Sequence, residues 1–188
     1  MAKIINFFGA PSDGKSTTAA ALFVLMKRAN YKVELVTERA KELVYEDREH
    51  QLKDQLSLLA TQNKRIDRLK DKVDWVITDS PLLLTKVYAP QDYFHGFGRL
   101  VYNVYGSYDN IHVTVNRTVR PYQPYGRTQT EEQAAELKIR INDELARYKE
   151  YRVLSDKEPG PHYVIDANPR CEEVLADYLG LIWREPTL

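Results

Sequence analysis

Residues 9–17 read Gly9-Ala10-Pro11-Ser12-Asp13-Gly14-Lys15-Ser16-Thr17 and fit the phosphate-binding pattern G-x-x-x-x-G-K-[ST]. A largely apolar run before them, Ile4 to Phe8, predicts a buried strand, and the residues from Ser16 to Met26 predict a helix. Gly9 and Gly14 permit the backbone conformations that turn successive N–H groups toward a phosphate. The strand, loop and helix together predict a nucleotide-binding P-loop, and a plain glycine turn is the alternative.

The pattern also predicts what the polar residues of the loop do. Lys15 would reach the β- and γ-phosphates as a mobile point charge, while the Ser16 hydroxyl would ligate Mg²⁺ and Thr17 could bond the α-phosphate. The positive end of the following helix would face the same phosphates. Phosphates would repel the Asp13 carboxylate, so we expect it to point away or to pair with a basic group. A role of Asp13 in orienting the substrate stays open.

Composition bounds the class of protein. The chain has 188 residues, enough for one domain with a sizeable core, and its 27 basic and 27 acidic residues balance to zero net charge. This balance argues against a dedicated nucleic-acid coat or scaffold, although a local basic groove remains open. Cys171 is the single cysteine, which excludes an intrachain disulfide and a cysteine-based zinc site. With no bilayer-length apolar run and no signal-peptide pattern, we expect a cytoplasmic protein.

Strand-like and helix-like segments alternate along the chain. This alternation predicts an α/β fold, in which a five-stranded parallel sheet carries helices on both faces. We expect the whole chain, residues 1–188, to form one domain. The predicted strands are Lys3–Phe8, Val33–Thr37, Trp75–Thr78, Ile111–Asn116 and Tyr163–Ile165.

Three helices can be predicted from capping signals and apolar spacing. A long helix is expected from His50 to about Leu69, with an apolar stripe facing the core. The segment from Thr130 to Gln133 has the form of a capping box and predicts a helix from Glu131 to about Tyr151. A last helix is expected to start at Asn168-Pro169. The stripe of the long helix consists of Leu52, Leu56, Leu59 and Ile66.

Ligands of parallel sheets collect at the carboxyl ends of the strands, so the residues that follow each strand are the candidates. Asp79, before Ser80 and Pro81, is our candidate for holding Mg²⁺ opposite the loop hydroxyl, and a helix-capping role is the alternative. Glu38 is our candidate base for an attacking hydroxyl, next to Arg39, which could hold a substrate or a developing charge. The alternative is a solvated pair at a helix start.

The fourth strand leads into a proline-rich segment, residues 117–127, with three arginines and two tyrosines. We interpret it as a lid, about residues 117–130, that closes over the γ-phosphate and stabilises the transferred charge. Arg120 and Arg127 flank its turn residues and are the lid's candidate catalytic groups, while Arg117 is nearest the strand end. A plain basic surface loop is the alternative.

The remaining polar and aromatic segments do not indicate a single role. Asp166-Ala167-Asn168 could border a nucleobase or simply form a capping turn, and the aromatic segment 88–108 could stack bases or pack in the core. Gln55, Gln62 and Asn63 could read a base edge or meet solvent. None of the four histidines has a metal-ligand spacing, which argues against zinc.

Taken together, the stretch Gly9–Thr17, the triplet Thr37-Glu38-Arg39, the run from Ile77 to Pro81 and the segment 117–127 resemble the small P-loop kinases of the nucleoside and nucleotide kinase superfamily. Within it the chain resembles the ATP-binding proteins of bacteriophages, which are similar to the ribosylnicotinamide kinase domain and to phage kinases of 5-hydroxymethyluracil bases in DNA. This resemblance implies a P-loop kinase-type three-layer sandwich with an arginine-rich lid. A phage-encoded protein would act in the host cytoplasm.

The expected activity is transfer of the γ-phosphate from ATP with Mg²⁺ to a nucleoside, a nucleotide or a modified nucleobase. Lys15, Glu38, Asp79, Arg120 and Arg127 would carry it. Either Glu38 or Asp79 would position the attacking hydroxyl, since the resemblance implies that Asp79 lies at Mg²⁺ or at the acceptor. One alternative is a kinase whose acceptor is a 5-hydroxymethyl-pyrimidine base within DNA. Another is an ATPase switch that acts on a partner protein. The sequence leaves the acceptor, the preference for ATP over GTP and the oligomeric state open.

Overall fold

The chain is built on a parallel five-stranded sheet in a computed structural model that describes residues 1–118, 122–123 and 129–182. The strand order is β2-β3-β1-β4-β5, and every neighbouring pair is parallel. The predicted strands are confirmed, with ends that differ by no more than two residues. The observed strands are β1 (Lys3–Phe8), β2 (Val33–Val36), β3 (Trp75–Thr78), β4 (Asp109–Asn116) and β5 (His162–Asp166).

Helices cover both faces of the sheet, as the alternation of segments predicts. Side chains of β1 alternate between two cores: Ile4 and Phe8 pack with the face that carries α3, α4, α5 and α6, and Ile5 and Phe7 with the face that carries α1 and α7. Within the described residues, none of the helices is both long and apolar enough to cross a bilayer. The helices are α1 (Lys15–Arg28), α2 (Arg39–Tyr45), α3 (Gln55–Asp67), α4 (Leu84–Tyr88), α5 (Phe97–Tyr105), α6 (Glu131–Leu154) and α7 (Cys171–Tyr178), with a 3₁₀ helix at Glu49–Lys53.

The capping box before α6 is confirmed. The Thr130 side chain accepts from the backbone N–H of Gln133, and the Gln133 side chain accepts from the backbone N–H of Thr130. The helix extends to Leu154, three residues beyond the predicted end at Tyr151.

The predicted long helix is wrong at its start. The 3₁₀ helix Glu49–Lys53 comes first, and α3 begins at Gln55 because the Asp54 carboxylate caps it by accepting from Ser57 N at 3.0 Å. The predicted stripe is wrong at one position, since Leu56 is 42% exposed. Two polar side chains of α3, Gln55 and Gln62, are buried instead. The rotation of α3 is set by its packing against α4 and α5, which apolar spacing alone does not determine.

The last helix also starts later than predicted. Arg170 has a left-handed backbone with φ of 66°, so a helix from Asn168 cannot continue through it. The backbone carbonyl oxygen of Asn168 instead accepts from the backbone N–H of Cys171 at 3.2 Å, which forms a turn. Helix α7 then begins at Cys171.

A histidine is buried where β4 packs against α5 and α6. His112 has no exposed surface; its Nδ1 lies 2.9 Å from the Tyr105 hydroxyl and its Nε2 lies 2.7 Å from the carbonyl oxygen of Pro159. A neutral ring satisfies both contacts, because Nε2–H donates to the carbonyl and Nδ1 accepts from the hydroxyl. Burial, with lesser contributions from Lys149 and His162, lowers the pKa of His112 to about 4.

This lowered pKa predicts a loss of stability in acid. The unfolded chain takes up a proton near the ordinary pKa of 6.5, whereas the folded chain resists it down to about pH 4. The stabilisation is therefore complete above pH 6.5 and is lost as the pH falls toward 4. Between about pH 7 and about pH 4.5 we expect His112 to account for about 2 kcal/mol of the fall in the free energy of unfolding.

Urea unfolding at both pH values measures this fall. The variant His112→Gln should show a smaller fall than the unchanged chain, since glutamine takes up no proton. Equal falls in the two proteins would assign the acid sensitivity to other groups.

Candidate functional site

A cavity of about 540 Å³ lies along the carboxyl edge of the sheet. Because all strands are parallel, the segments that follow them meet at this edge. The segment that follows each of the five strands contributes residues to the cavity wall. The contributing residues are Glu38–Lys41 after β2, Ser80 and Pro81 after β3, Pro11–Thr17 after β1, Arg117 and Thr118 after β4, and Ala167 after β5.

The P-loop lies at the centre of this edge, after the central strand β1. Gly14 has φ of 96°, and a Cβ there would lie 3.0 Å from the Cβ of Ala167, so both the backbone and the space require glycine. Helix α1 begins directly after it, and its first turn lines the cavity with Lys15, Ser16 and Thr17. The Lys15 ammonium donates to the carbonyl oxygen of Ala10 at 2.9 Å. The positive end of α1 and a lysine ammonium thus face the same space.

Asp13 pairs with a basic group, which is one of the two arrangements expected for it. Its side chain is 6% exposed, and its Oδ2 accepts from the backbone N–H of Ala10 at 2.8 Å. The same oxygen lies 3.7 Å from the Nζ of Lys138 on α6. The carboxylate is therefore held by the protein itself, at a position that still borders the cavity.

Asp79 is buried at the end of β3, directly before Ser80, which lines the cavity. It does not cap the next helix, because α4 begins only at Leu84 with Leu83 as its cap residue. Within the described part of the chain, its Oδ1 is buried and has no hydrogen-bond partner. A buried carboxylate oxygen without a hydrogen bond lowers the stability of the fold unless a cation or a hydrogen-bond donor binds it. Asp79 therefore has the properties of a Mg²⁺ ligand.

Glu38 directly precedes α2 and lines the cavity. Its side chain makes no capping hydrogen bond to the helix. Tyr88 of α4 also lines the cavity. Its pKa is raised above the usual range, mainly by burial and to a lesser extent by the negative charge of Glu38. The cavity therefore holds a carboxylate on its β2 side next to a tyrosine that stays protonated.

Arg39 is held in ion pairs on α2. Its guanidinium contacts Glu42 and Glu46, each at 2.8 Å. Arg65 of α3 also binds Glu42 at 2.7 Å, and the two arginines, Arg65 foremost, lower the pKa of Glu42 to about 2. Arg65 additionally donates to the carbonyl oxygen of Thr37 at 3.2 Å. These contacts fix the end of β2 and the start of α2, where Glu38 is located.

Two glutamines of α3 form part of the wall, although solvent exposure was the main alternative for both. Gln55 and Gln62 are each 4% exposed. The Gln62 amide donates to the carbonyl oxygen of Thr37 at 3.2 Å, and its Oε1 has no partner among the described residues. Asn63 points elsewhere, since it accepts from the Tyr108 hydroxyl at 2.7 Å.

The aromatic segment contributes little to the cavity wall. Its aromatic residues pack against each other or against the core, and Tyr88 alone of the described ones also lines the cavity. Tyr93, Phe94 and Phe97 form one such group, with ring centroids 4.8 to 5.3 Å apart.

Sequence reasoning missed the apolar part of the cavity wall, because core leucines and cavity leucines have the same helical spacing. This wall includes Leu52, Leu58, Leu84 and Pro90.

Part of the proposed lid is described. Arg117 forms an ion pair with Glu131 at the start of α6, and Gln123 N donates to the Ser12 hydroxyl of the P-loop at 3.1 Å. Thr118 donates to the carbonyl oxygen of Ala167 at 3.1 Å and so links the ends of β4 and β5.

Arg120 and Arg127 lie outside the described residues, and the arginine-rich lid stays a prediction.

Solved structures share this fold at low sequence identity. A NadR protein in complex with NR is 17% identical with a TM-score of 0.66; the match covers 100% of this chain but 54% of that chain. A deoxyadenosine kinase from M. mycoides with bound products is 20% identical, with a TM-score of 0.60 and coverage of 94% and 98%. Thymidylate kinase from Ehrlichia chaffeensis is 16% identical, with a TM-score of 0.60 and coverage of 95% and 100%. No curated protein sequence matches the chain.

The strand order, the central P-loop and the cavity beside it define a P-loop protein with the fold of nucleoside and nucleotide kinases. The chain belongs to the AAA domain family, whose profile matches residues 4–159. The predicted fold class and the resemblance to these kinases are confirmed. None of these matches tests the resemblance to bacteriophage proteins.

Proposed function

We propose that the protein is a P-loop kinase that transfers the γ-phosphoryl group of ATP to a hydroxyl of a nucleoside, a nucleotide or a modified nucleobase. One observation carries this proposal: a single cavity joins the P-loop to the Glu38 carboxylate. A hydrolytic switch needs a nucleotide site, whereas a transferase also needs room and a base for an acceptor.

In this proposal the two substrates bind on opposite sides of the P-loop, and the order of the strands supports this arrangement. Thr118 and Ala167 follow β4 and β5 on one side, where the nucleoside part of ATP would lie. Glu38 and Ser80 follow β2 and β3 on the other side, where the acceptor would lie. Structures of similar fold carry such ligands, including dATP on the deoxyadenosine kinase and AMP-PNP with NAD on the NadR protein.

In this proposal Lys15 and the first turn of α1 bind and orient the phosphates, and Glu38 accepts the proton of the attacking hydroxyl. The Ser16 hydroxyl and the Asp79 carboxylate would hold Mg²⁺, which supplies charge neutralisation at the phosphates when bound. The apolar wall and the closing lid, with Arg120 and Arg127, exclude water from the transferred group.

Replacing Glu38 by glutamine tests the base. We expect Glu38→Gln to lower kcat for transfer by about a hundredfold, because the amide cannot accept a proton. The affinity for ATP should stay unchanged, since Glu38 lies on the acceptor side. Transfer kinetics and calorimetric ATP binding separate the two effects. The change Glu46→Gln is the control; it alters the carboxylate that follows the other end of α2 and pairs with Arg39. Unchanged kcat in Glu38→Gln would remove Glu38 from this role.

The acceptor is identified by transfer of labelled γ-phosphate from ATP and Mg²⁺ to a panel. The panel contains free nucleosides, nucleoside monophosphates, nicotinamide riboside and DNA with 5-hydroxymethyl-pyrimidine bases. Label on a small molecule identifies a metabolite kinase, and label on DNA identifies a base kinase. Label that appears only as free phosphate would overturn the proposal in favour of an ATPase switch.

A further inference from the structure

A buried carboxylate in a phosphate-binding loop needs an explanation. Asp13 borders the cavity that the phosphates of ATP would enter, and its side chain is 6% exposed. A negative charge there disfavours a triphosphate, and low exposure leaves water little means of screening it. The charge must be offset by the protein for the loop to bind ATP well.

The carboxylate has a structural task that accounts for its position. Its Oδ2 accepts from the backbone N–H of Ala10 at 2.8 Å, and the Asp13 N–H donates back to the Ala10 carbonyl oxygen at 3.2 Å. The same carbonyl accepts from the Lys15 ammonium at 2.9 Å. Asp13 thus fixes the peptide that Lys15 contacts, and it pre-organises the loop.

A cation from a distant part of the chain is placed against this carboxylate. The Nζ of Lys138 on α6 lies 3.7 Å from Oδ2 of Asp13, and its side chain is 32% exposed. Lys138 is not among the described residues that line the cavity, and the contact that the structure shows for it is with Asp13. Its position suits charge compensation.

We propose that Lys138 is a positioning residue of the nucleotide site, which neutralises Asp13 and thereby allows the loop to accept the phosphates. This inference rests on the proposed function only in that the P-loop binds ATP; it holds whatever the acceptor is. The pair joins the P-loop to the helix that follows the proposed lid.

The proposal predicts a non-additive pair of substitutions. Lys138→Met leaves the Asp13 charge uncompensated, and we expect ATP to bind about tenfold more weakly, a change of about 1.4 kcal/mol. Asp13→Asn keeps an oxygen that can accept from the Ala10 N–H and removes the charge. On this background Lys138→Met should lose most of its effect, so the double variant should bind ATP within about threefold of Asp13→Asn alone.

Calorimetric titration with ATP and Mg²⁺ measures all of these affinities and requires no acceptor. Lys64→Met, which removes an exposed lysine of α3, is the matched control and should bind ATP normally. Melting temperatures check that each variant folds. If an acceptor is known, Lys138→Met should raise KM for ATP and leave kcat nearly unchanged, and Asp13→Asn should restore KM.

Two outcomes would overturn the inference. Normal ATP affinity in Lys138→Met would show that Asp13 needs no compensation from α6. An equal weakening of ATP binding by Lys138→Met in the unchanged chain and in Asp13→Asn would show that Lys138 acts independently of the Asp13 charge. Absence of ATP binding in the unchanged chain is a different result, because it would refute the proposed function itself.

Discussion

Replacement of Lys15 by methionine is expected to lower phosphate transfer by about a thousandfold. Lys15 is the cation that the P-loop places at the cavity wall, next to the first turn of α1. A fixed positive charge at the transferred phosphate matters most when charge moves during transfer, so kcat should fall more than ATP affinity. Methionine retains much of the side chain's length and loses only its charge and donors.

Transfer of labelled γ-phosphate measures this effect. The control Lys32→Met removes a lysine that precedes β2, at the opposite edge of the sheet from the cavity. It should transfer phosphate at the rate of the unchanged chain. Activity of Lys15→Met within about threefold of that rate would refute the assignment of the P-loop as the phosphate site.

The second large effect is expected for Asp79→Asn. The change removes a buried charge whose Oδ1 has no partner among the described residues. We expect transfer to fall by about a thousandfold, because an amide is a poor ligand for Mg²⁺. The fold should become no less stable, and a rise of about 1 kcal/mol in the free energy of unfolding is expected from relief of the unpaired charge.

This combination of lost activity and retained stability distinguishes a ligand from a structural residue. Part of the activity should return as the Mg²⁺ concentration is raised. Asp166→Asn is the control, since Asp166 ends β5 at the same edge of the sheet but is exposed and accepts from Asn116 at 3.3 Å. Normal transfer in Asp79→Asn at low Mg²⁺, or its unfolding, would contradict the assignment.

Much of the fold follows from local signals in the sequence. The strands are marked by short apolar runs, and α6 is marked by the reciprocal bonds of Thr130 and Gln133. Each signal lies within a few residues, and the capping bonds of α6 are also made within those few residues. The start of α3 has no comparable marker, because the Asp54 cap competes with an apolar pattern that begins earlier at Leu52.

The candidate site is predictable in part for the same reason. The carboxyl ends of parallel strands lie at one edge, so Glu38 and the P-loop could be placed together before the structure was known. The roles of Gln55 and Gln62 could not be separated from those of solvated residues, because burial of a polar side chain depends on how α3 rotates against its neighbours. Asp13 carries a charge whose partner is not recognisable from spacing.

The sequence by itself determined the P-loop, the parallel α/β fold and the strand ends that supply the cavity, because these depend on local backbone preferences and on the geometry shared by parallel strands. Tertiary structure alone decided that Lys138 meets Asp13 and that Arg65 of α3 binds Glu42 of α2. It also decided that Asp79 is buried and that its Oδ1 has no hydrogen-bond partner among the described residues. Such contacts depend on side-chain directions in packed helices and strands, and spacing along the chain does not encode them.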